Sequence, residues 1–385
     1  MMEVSTLDLL VIAAYLLFML GVGVWFVKRI NNTDDYYVAG RTLGPVVLAA
    51  TVCATIIKLL GGQIGISYEM GALIATAIFI IYTAASGLFG VVYTDVVQFF
   101  MLIIFVYIMI PTASLDFLGG FGNFWANLDK SYITPHIDGE ILGDIVTYLV
   151  FTMAGAEMWQ RAFAAKTPKA ARRGMFWGTS VYAVTIALLF LMGLAAQQIL
   201  PNVLEEFGTA DAVVPALAIK ILPPGLTGLA LSGILSVMMS TADSYLLVSV
   251  QTVVSDLGKT FHPQMSEKQE ILFSRIASVV LALGALVIAL YIKSAYDVLM
   301  FAWAFYAAAA GLPALAALYW KKATKAGIIA GMLGGFFVTV GWKLVGQPFG
   351  LGATVPGAIT CGVLLAAVSL ATFRSAPAVA VDPDR

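Results

Sequence analysis

Runs of mostly apolar residues, each long enough to cross a bilayer, recur through this chain and limit its fold more than any other feature. A hydrocarbon core about 30 Å thick is crossed by about 20 helical residues. Only a helix or a closed barrel can satisfy its own backbone there. The pattern predicts about eleven helical spans. They fall at roughly 6–27, 45–68, 71–89, 93–112, 142–159, 174–199, 224–250, 274–292, 296–319, 327–345 and 354–373. The stretch 142–159 is short and carries Asp144 and Glu157. The first stretch has no basic n-region before it and no small-residue cleavage site after it, so it is expected to be a retained anchor. The expected class is an all-α polytopic membrane protein embedded in a lipid bilayer.

Composition excludes the main alternatives. Charged residues are 11% of the chain and hydrophobic ones 61%, where an ordinary soluble domain has about 25% charged. Lys and Arg number 21 against 22 Asp and Glu, so there is no basic excess for a phosphate backbone and no nucleic-acid partner is expected. Cys53 and Cys361 both lie in apolar stretches and read as small core residues. His136 and His262 are far apart in sequence, so no histidine metal site is expected. No metalloprotease, Ser/His or phosphate-cradling signature is present, so the chain is not expected to be an enzyme.

The basic residues also predict an orientation. With the N-terminus outside, alternation puts Lys28, Arg29, Arg41, Lys166, Lys169, Arg172 and Arg173 inside. Lys259, Lys268, Lys321, Lys322, Lys325, Arg374 and Arg385 fall on the same side. Lys130, Lys220, Lys293 and Lys343 remain outside. This bias calls for an odd number of spans and a cytoplasmic C-terminus. Residues 113–141, rich in Gly, Asn, Asp and Pro, are expected to form an external loop, and 375–385 a disordered tail.

The run MSTADSYLL, from Met239 to Leu247, places hydroxyls in the middle of a span. In a helix Val237 and Thr241 share one face, and Ser240 and Ser244 form a second i,i+4 pair. Hard cations take several oxygen ligands, which hydroxyls and freed backbone carbonyls supply. The competing reading is that these hydroxyls bond back to the preceding turn or join helices together.

This run resembles one in the eighth core helix of the sodium:solute symporter family. Other segments agree in matching order. YYVAGRTL (Tyr36 to Leu43) resembles the entry to the family's first core helix. IYTAASGLFGVVYTDVVQ (Ile81 to Gln98) resembles its fourth-to-fifth helix junction, with Thr94, Asp95 and Gln98 in place. EMWQRAFAAKTPKAARRG (Glu157 to Gly174) and YWKKATKAGIIAGMLGG (Tyr319 to Gly335) resemble the inner end of the sixth helix and the exit from the tenth. The resemblance covers nearly the whole chain. It implies a leucine-transporter-like fold of inverted repeats, with substrate and Na⁺ near the midplane beside broken helices. It further implies one transmembrane domain over 1–374. The first repeat lies at about 45–112 and the second at about 142–319, with extra helices at about 6–27 and 327–373.

Carried over residue by residue, the resemblance implies a Na⁺ site with hydroxyls from Ser240 and Thr241 and a carbonyl from Val237. Asp95 matches an aspartate proposed on the cation's exit route. Carbonyls of the first core helix, VCATIIKLLGGQIGISYEMG (Val52 to Gly71), complete the set. Two registers are open there. Anchoring on the late glycines and Tyr68 puts the carbonyls at Val52 and Thr55. Anchoring on Ala-Thr-Ile-Ile puts them at Ala54 and Ile57, the preferred assignment. Gly61, Gly62 and Gly65 permit an unwound stretch in either case. No organic cofactor is implied, Na⁺ being the coupling ion.

The chain departs from the family in two places. After Gly71 it runs almost directly into IYTAASGLFG, so the second core helix joins the end of the fourth and the third is missing. The first repeat is therefore expected to be incomplete, leaving the central site partly open or in need of a partner. The other departure is Lys58, in mid-span, where a lysine costs about 2.5–3.5 kcal/mol on insertion scales. It is read as a partly hydrated lysine facing the gap, as a partner for an anionic substrate, or as an ammonium standing in for Na⁺. The last reading implies proton coupling or uniport. Gln63, Tyr68, Trp303 and Tyr306 are further substrate-region candidates, with ordinary packing as the alternative for the aromatic patch around Trp303. Glu157 and Arg161 can pair at i,i+4 at the inner end of a span.

Three functional classes compete. The leading expectation is Na⁺-coupled transport of a small organic solute. A non-transporting or Na⁺-independent relative is the alternative, and a membrane enzyme is the weakest. A bacterial inner membrane suits the short loops. No motif specifies an oligomeric state.

Overall fold

The computed structural model describes residues 4–27, isolated positions between 70 and 80, and then 94–134, 138–154, 167–291 and 295–373. The described residues are helical, with no strand among them. The principal helices are α1 (Thr6–Val27), α2 (Thr94–Phe117), α3 (Gly139–Ala154), α4 (Pro168–Ile199) and α5 (Val213–Ile221). They continue with α6 (Leu226–Phe261), α7 (Glu267–Tyr291), α8 (Ala295–Tyr306, running on to Tyr319), α9 (Lys325–Leu344) and α10 (Thr354–Thr372). At about 1.5 Å per residue the longer of these helices suit a bilayer.

Seven helices among the described residues are long and apolar enough to cross a membrane, and Thr6–Val22 and Ile141–Thr152 are shorter apolar stretches. Each coincides with a span expected from hydropathy. The expected spans at 45–68 and 71–89 fall outside the described residues, apart from isolated helical positions. The expected tail 375–385 also lies outside them. Large apolar side chains cover the outer faces: Phe176, Trp177, Val184 and Phe190 on α4, and Leu272, Val280 and Val287 on α7 are all exposed. Lipid is the solvent for such faces, and the chain is an integral membrane protein.

Helix starts are built locally. Thr167 accepts from the Ala170 N–H at 3.1 Å, and Pro168 follows at the first helical position of α4. Thr324 caps α9 in the same way, through the Gly327 N–H at 3.1 Å. The chain divides into two compact units. One comprises Met1–Pro135 and Trp159–Leu299, the other His136–Met158 and Met300–Arg385.

In the first unit α6 is the central helix. It packs against α1, α2, α5 and α7, and 76% of its apolar stretch is buried, compared with 28% for α4. The core beside it holds Met19, Ile110, Met192, Leu217, Leu231, Leu246 and Leu247. Glycine permits close approach at two crossings. A Cβ at Gly228 would meet the Asp8 backbone at 2.8 Å, and one at Gly233 would meet Val106 at 2.9 Å and the Met101 carbonyl at 3.1 Å.

In the second unit α9 and α10 form a hairpin that packs on α3 and on the π-helical turn Ala307–Gly311 of α8. Gly327, Gly331 and Gly335 lie on one face of α9 at four-residue spacing, all buried.

The segment expected as an external loop is more ordered than its composition suggests. It holds a short helix, Phe121–Ala126, and a 3-10 turn, Lys130–Ile133. Phe124 and Leu128 are buried against Leu194 and Ala195 of α4, and Gln198 Nε2 donates to the Phe124 carbonyl at 3.1 Å. Two apolar residues four apart suffice to dock this helix, and Gly and Asn content does not register that.

Candidate functional site

The mid-span hydroxyls sit on α6, the most enclosed of the long apolar helices among the described residues. Within α6, Leu231, Ala242, Asp243, Leu246 and Leu247 are buried, while Val237, Met238, Ser240 and Thr241 are half-buried. The helical period explains this. Residues 237, 240 and 241 fall on one side of the helix, so the oxygen-bearing stripe lies on its more open face.

Ser240 Oγ donates to the Val237 carbonyl at 3.1 Å. This is a back-bond of the kind that hydroxyls make inside membrane helices. It also brings two of the oxygens assigned to the cation within one turn of each other. With its proton committed to Val237, the serine oxygen keeps its lone pairs for a cation, whereas the Val237 carbonyl, inside a continuous helix, also accepts the Thr241 N–H and would have to release one of these donors to act as a ligand. Thr241 adds a hydroxyl on the same side. Asp95 lies on the first turn of α2, half-buried, in the same compact unit. Thr94 beside it is buried.

The remaining candidates are placed differently. Ala54, Ile57, Lys58, Gln63 and Tyr68 lie outside the described residues, as do the alternatives Val52 and Thr55. Trp303 and Tyr306 lie in the second unit. There the Trp303 ring stacks on Phe151 at 4.8 Å and meets Tyr148 edge-on at 5.7 Å. Tyr306 meets Phe151 edge-on at 5.5 Å. These rings form an aromatic cluster between α3 and α8 within that unit. The Trp303 indole N–H is buried with no hydrogen-bond acceptor among the described residues. A buried indole ordinarily finds one.

Several polar residues without an assigned role in the sequence reading lie beside α6. Gln98 is 2% exposed on α2, and its Nε2 donates to the Tyr15 hydroxyl at 3.3 Å. The Tyr15 hydroxyl donates to the Met239 sulfur at 3.8 Å. Asp8 is buried at the start of α1, and its Oδ1 accepts from the Gly225 and Gly228 N–H groups, both at 2.7 Å. Its Oδ2 accepts from the Ser5 N–H at 3.0 Å and from the Ser5 hydroxyl at 2.6 Å. Asp243, inside the MSTADSYLL run, has no exposed surface. The available signal was an ionisable or amide side chain within an apolar span, which is expensive unless it has work to do.

Hydroxyl and carbonyl oxygens in the middle of a membrane helix are the kind of groups that ion-coupled carriers use to hold their cation. The family profile described as the sodium:solute symporter family matches residues 57–335. This chain is a member of that family, a class of Na⁺-coupled carriers in which Na⁺ is the coupling ion and no organic cofactor takes part.

Relatives bear this out. An osmoregulated proline transporter of Bacillus subtilis is 28% identical over 340 residues, which are 83% of this chain and 67% of the relative. A sodium/pantothenate symporter of Haemophilus influenzae is 29% identical over 310 residues, 74% of this chain and 62% of the relative. The sodium/proline symporter of Escherichia coli is 28% identical over 339 residues, 84% of this chain and 66% of the relative. The aligned part thus spans about two thirds of the length of these curated relatives. The fold is shared with a solved, substrate-bound, outward-open Na⁺-coupled sialic acid symporter. The TM-score is 0.72 at 16% identity, covering 96% of this chain and 98% of that one.

Proposed function

We propose that this chain is a secondary active carrier that moves a small organic solute together with Na⁺, and not an enzyme. The observation that carries this reading is the Val237 carbonyl and Ser240 hydroxyl, 3.1 Å apart on the half-buried face of an otherwise enclosed helix. Na⁺ would be held by Val237, Ser240 and Thr241 together with the carbonyls of Ala54 and Ile57. Asp95 would receive the ion on its way to the cytoplasm. The driving force is the Na⁺ gradient, and the protein's part is to bind ion and solute to the same conformer.

The relatives are named for proline, pantothenate and sialic acid, each of which carries a carboxylate. A small carboxylate solute is the reading these names support, with Lys58 as the charge to receive it. Gln63, Tyr68, Trp303 and Tyr306 would contribute to its surroundings. The repeat boundaries at 45–112 and 142–319, the N-out and C-in orientation and a bacterial inner membrane complete the proposal, on the basis of the motif order and the lysine and arginine bias.

The test is radiolabelled Na⁺ binding to the purified protein, with Ser240→Ala/Thr241→Ala for comparison. The expected outcome is saturable binding in the wild type and at least about tenfold weaker binding in the variant, since contacts to a charge are worth about 1.5–3 kcal/mol each. Equal binding by both proteins would remove the ion from this helix. No binding by the wild type, combined with solute uptake that follows pH, would instead make Lys58 the coupling charge.

A further inference from the structure

The hydrogen-bond chain across the first unit has a direction. Gln98 on α2 donates to Tyr15 on α1, and Tyr15 donates to the Met239 sulfur on α6. All three side chains are buried. Met239 directly precedes Ser240 in the chain, and Gln98 lies three residues after Asp95. The two ends of the chain therefore border the proposed ligand set and the proposed exit residue. A second contact ties α1 to the start of α6, where Asp8 holds the Gly225 and Gly228 N–H groups.

The buried polar content is more than packing requires. Gln98 is buried, its Nε2 also approaches the Met19 sulfur at 4.0 Å, and its Oε1 has no hydrogen-bond partner among the described residues. A leucine or methionine would fill such a place with no desolvation cost. An amide and a phenol that cross three helices fix the rotation of each helix about its axis, which apolar contacts leave looser. A rotation of α6 of one residue, about 100°, would carry Val237, Ser240 and Thr241 off their shared face.

We infer that Gln98 and Tyr15 are positioning residues for the cation site: through Met239 they set the rotation of α6 that presents Val237, Ser240 and Thr241 together. The inference rests on the carrier reading above and assigns to α1, which lies outside both proposed repeats, a part in ion binding. Neither residue touches the ion. Tyr15 acts as the hinge of the chain, since its one hydroxyl both accepts and donates. Its removal should therefore have the same consequence as the removal of Gln98.

The test is Na⁺ affinity and thermal unfolding of the purified full chain as wild type, Tyr15→Phe, Gln98→Leu and the double variant. Each single change is expected to weaken Na⁺ binding roughly three- to tenfold, the size of one hydrogen bond. The double variant should be no weaker than the worse single one, because both break the same chain. A merely structural role would lower the unfolding temperature and leave the affinity of the folded protein unchanged. That result, beside saturable wild-type binding, overturns the inference and leaves the carrier reading standing. Strictly multiplicative losses in the double variant also overturn it. No saturable binding by the wild type overturns both. Should Gln98→Leu fail to fold, Tyr15→Phe, which removes a single oxygen atom, decides the matter alone.

Discussion

Helix α6 of the first unit and the α9–α10 hairpin of the second both use close glycine contacts, but only α6 adds buried carboxylate, phenol and amide groups to them. Gly327, Gly331, Gly335 and Gly357 bring α9 and α10 so close that a Cβ at Gly331 would meet Leu365 Cβ at 2.8 Å and the Cys361 carbonyl at 3.0 Å. This is small-residue packing, in which dispersion between close backbones does most of the work; hydroxyls add to it at one end, where Ser369 Oγ accepts from the Thr324 N–H at 3.2 Å and the Thr324 and Thr372 hydroxyls share a hydrogen bond at 2.7 Å. Helix α6 is tied to its neighbours by a carboxylate, a phenol and an amide. Lipid provides no alternative partner for those groups, so they specify one arrangement sharply and are costly when it is lost. The difference separates a scaffold from a helix proposed to present ligands.

The strongest way to break this comparison is in the hairpin. A Cβ at Gly335 runs into the Ala308 carbonyl, a backbone atom that cannot turn aside. Gly335→Val should cost about 3 kcal/mol, at the upper end for overpacking. It should lower the unfolding temperature and the yield of monodisperse protein while leaving Na⁺ affinity unchanged in the fraction that folds. Weakened Na⁺ binding at normal stability would show that the hairpin is part of the ion site's mechanics and not only scaffold.

A smaller loss is expected where α1 meets α6. Gly225 has φ +89°, a backbone conformation that glycine adopts without strain, and its N–H is thereby aimed at Asp8. Asp8→Ala removes the acceptor for the Gly225 and Gly228 N–H groups together and should cost about 2–3 kcal/mol. Asp8→Asn keeps one acceptor oxygen and should cost less. Chemical denaturation of the three proteins in one detergent checks the order. Equal stability of Ala and Asn variants would mean that the fit of the side chain, and not the acceptor, fixes α1.

How much of this was legible follows from the range over which each signal acts. Hydropathy acts over one helix, so α1, α2, α4 and α6 to α10 fell where the apolar runs put them. The hydroxyl run of Ser240 and Thr241 is also local and could be read directly. Gln98 was visible as part of a family segment, but its partner Tyr15 is 83 residues away, and Tyr15 lies 224 residues from Met239. No spacing rule reaches that far. Asp8 shows only as an acid in the first turn of a helix, where a carboxylate suits the macrodipole of its own helix. That its oxygens reach another helix is a tertiary fact. Phe124 was hidden by the Gly and Asn around it, whose turn propensity outweighed a lone pair of buried residues.

Asp129 repeats the device of Asp8 where water competes, and so isolates what burial adds. It is exposed in the segment after α2, and its Oδ1 accepts from the Ser131 N–H at 2.9 Å at the start of a 3-10 turn. That backbone hydrogen bond, with the Ser131 side chain, holds its pKa below the ordinary 3.8. A lowered carboxylate pKa stabilises the turn at pH above the unfolded value and loses that contribution as pH falls through the folded one. The turn is therefore intact at neutral pH and loosens only in acid below 3.8. Amide exchange at Ser131 should quicken there, and at neutral pH in Asp129→Asn, while the global unfolding temperature stays as in the wild type. A midpoint for this loosening at or above 3.8 would show that the charged form of Asp129 is not favoured by the turn. A fall in unfolding temperature as large as that of Asp8→Ala would show that burial is not what separates the two caps.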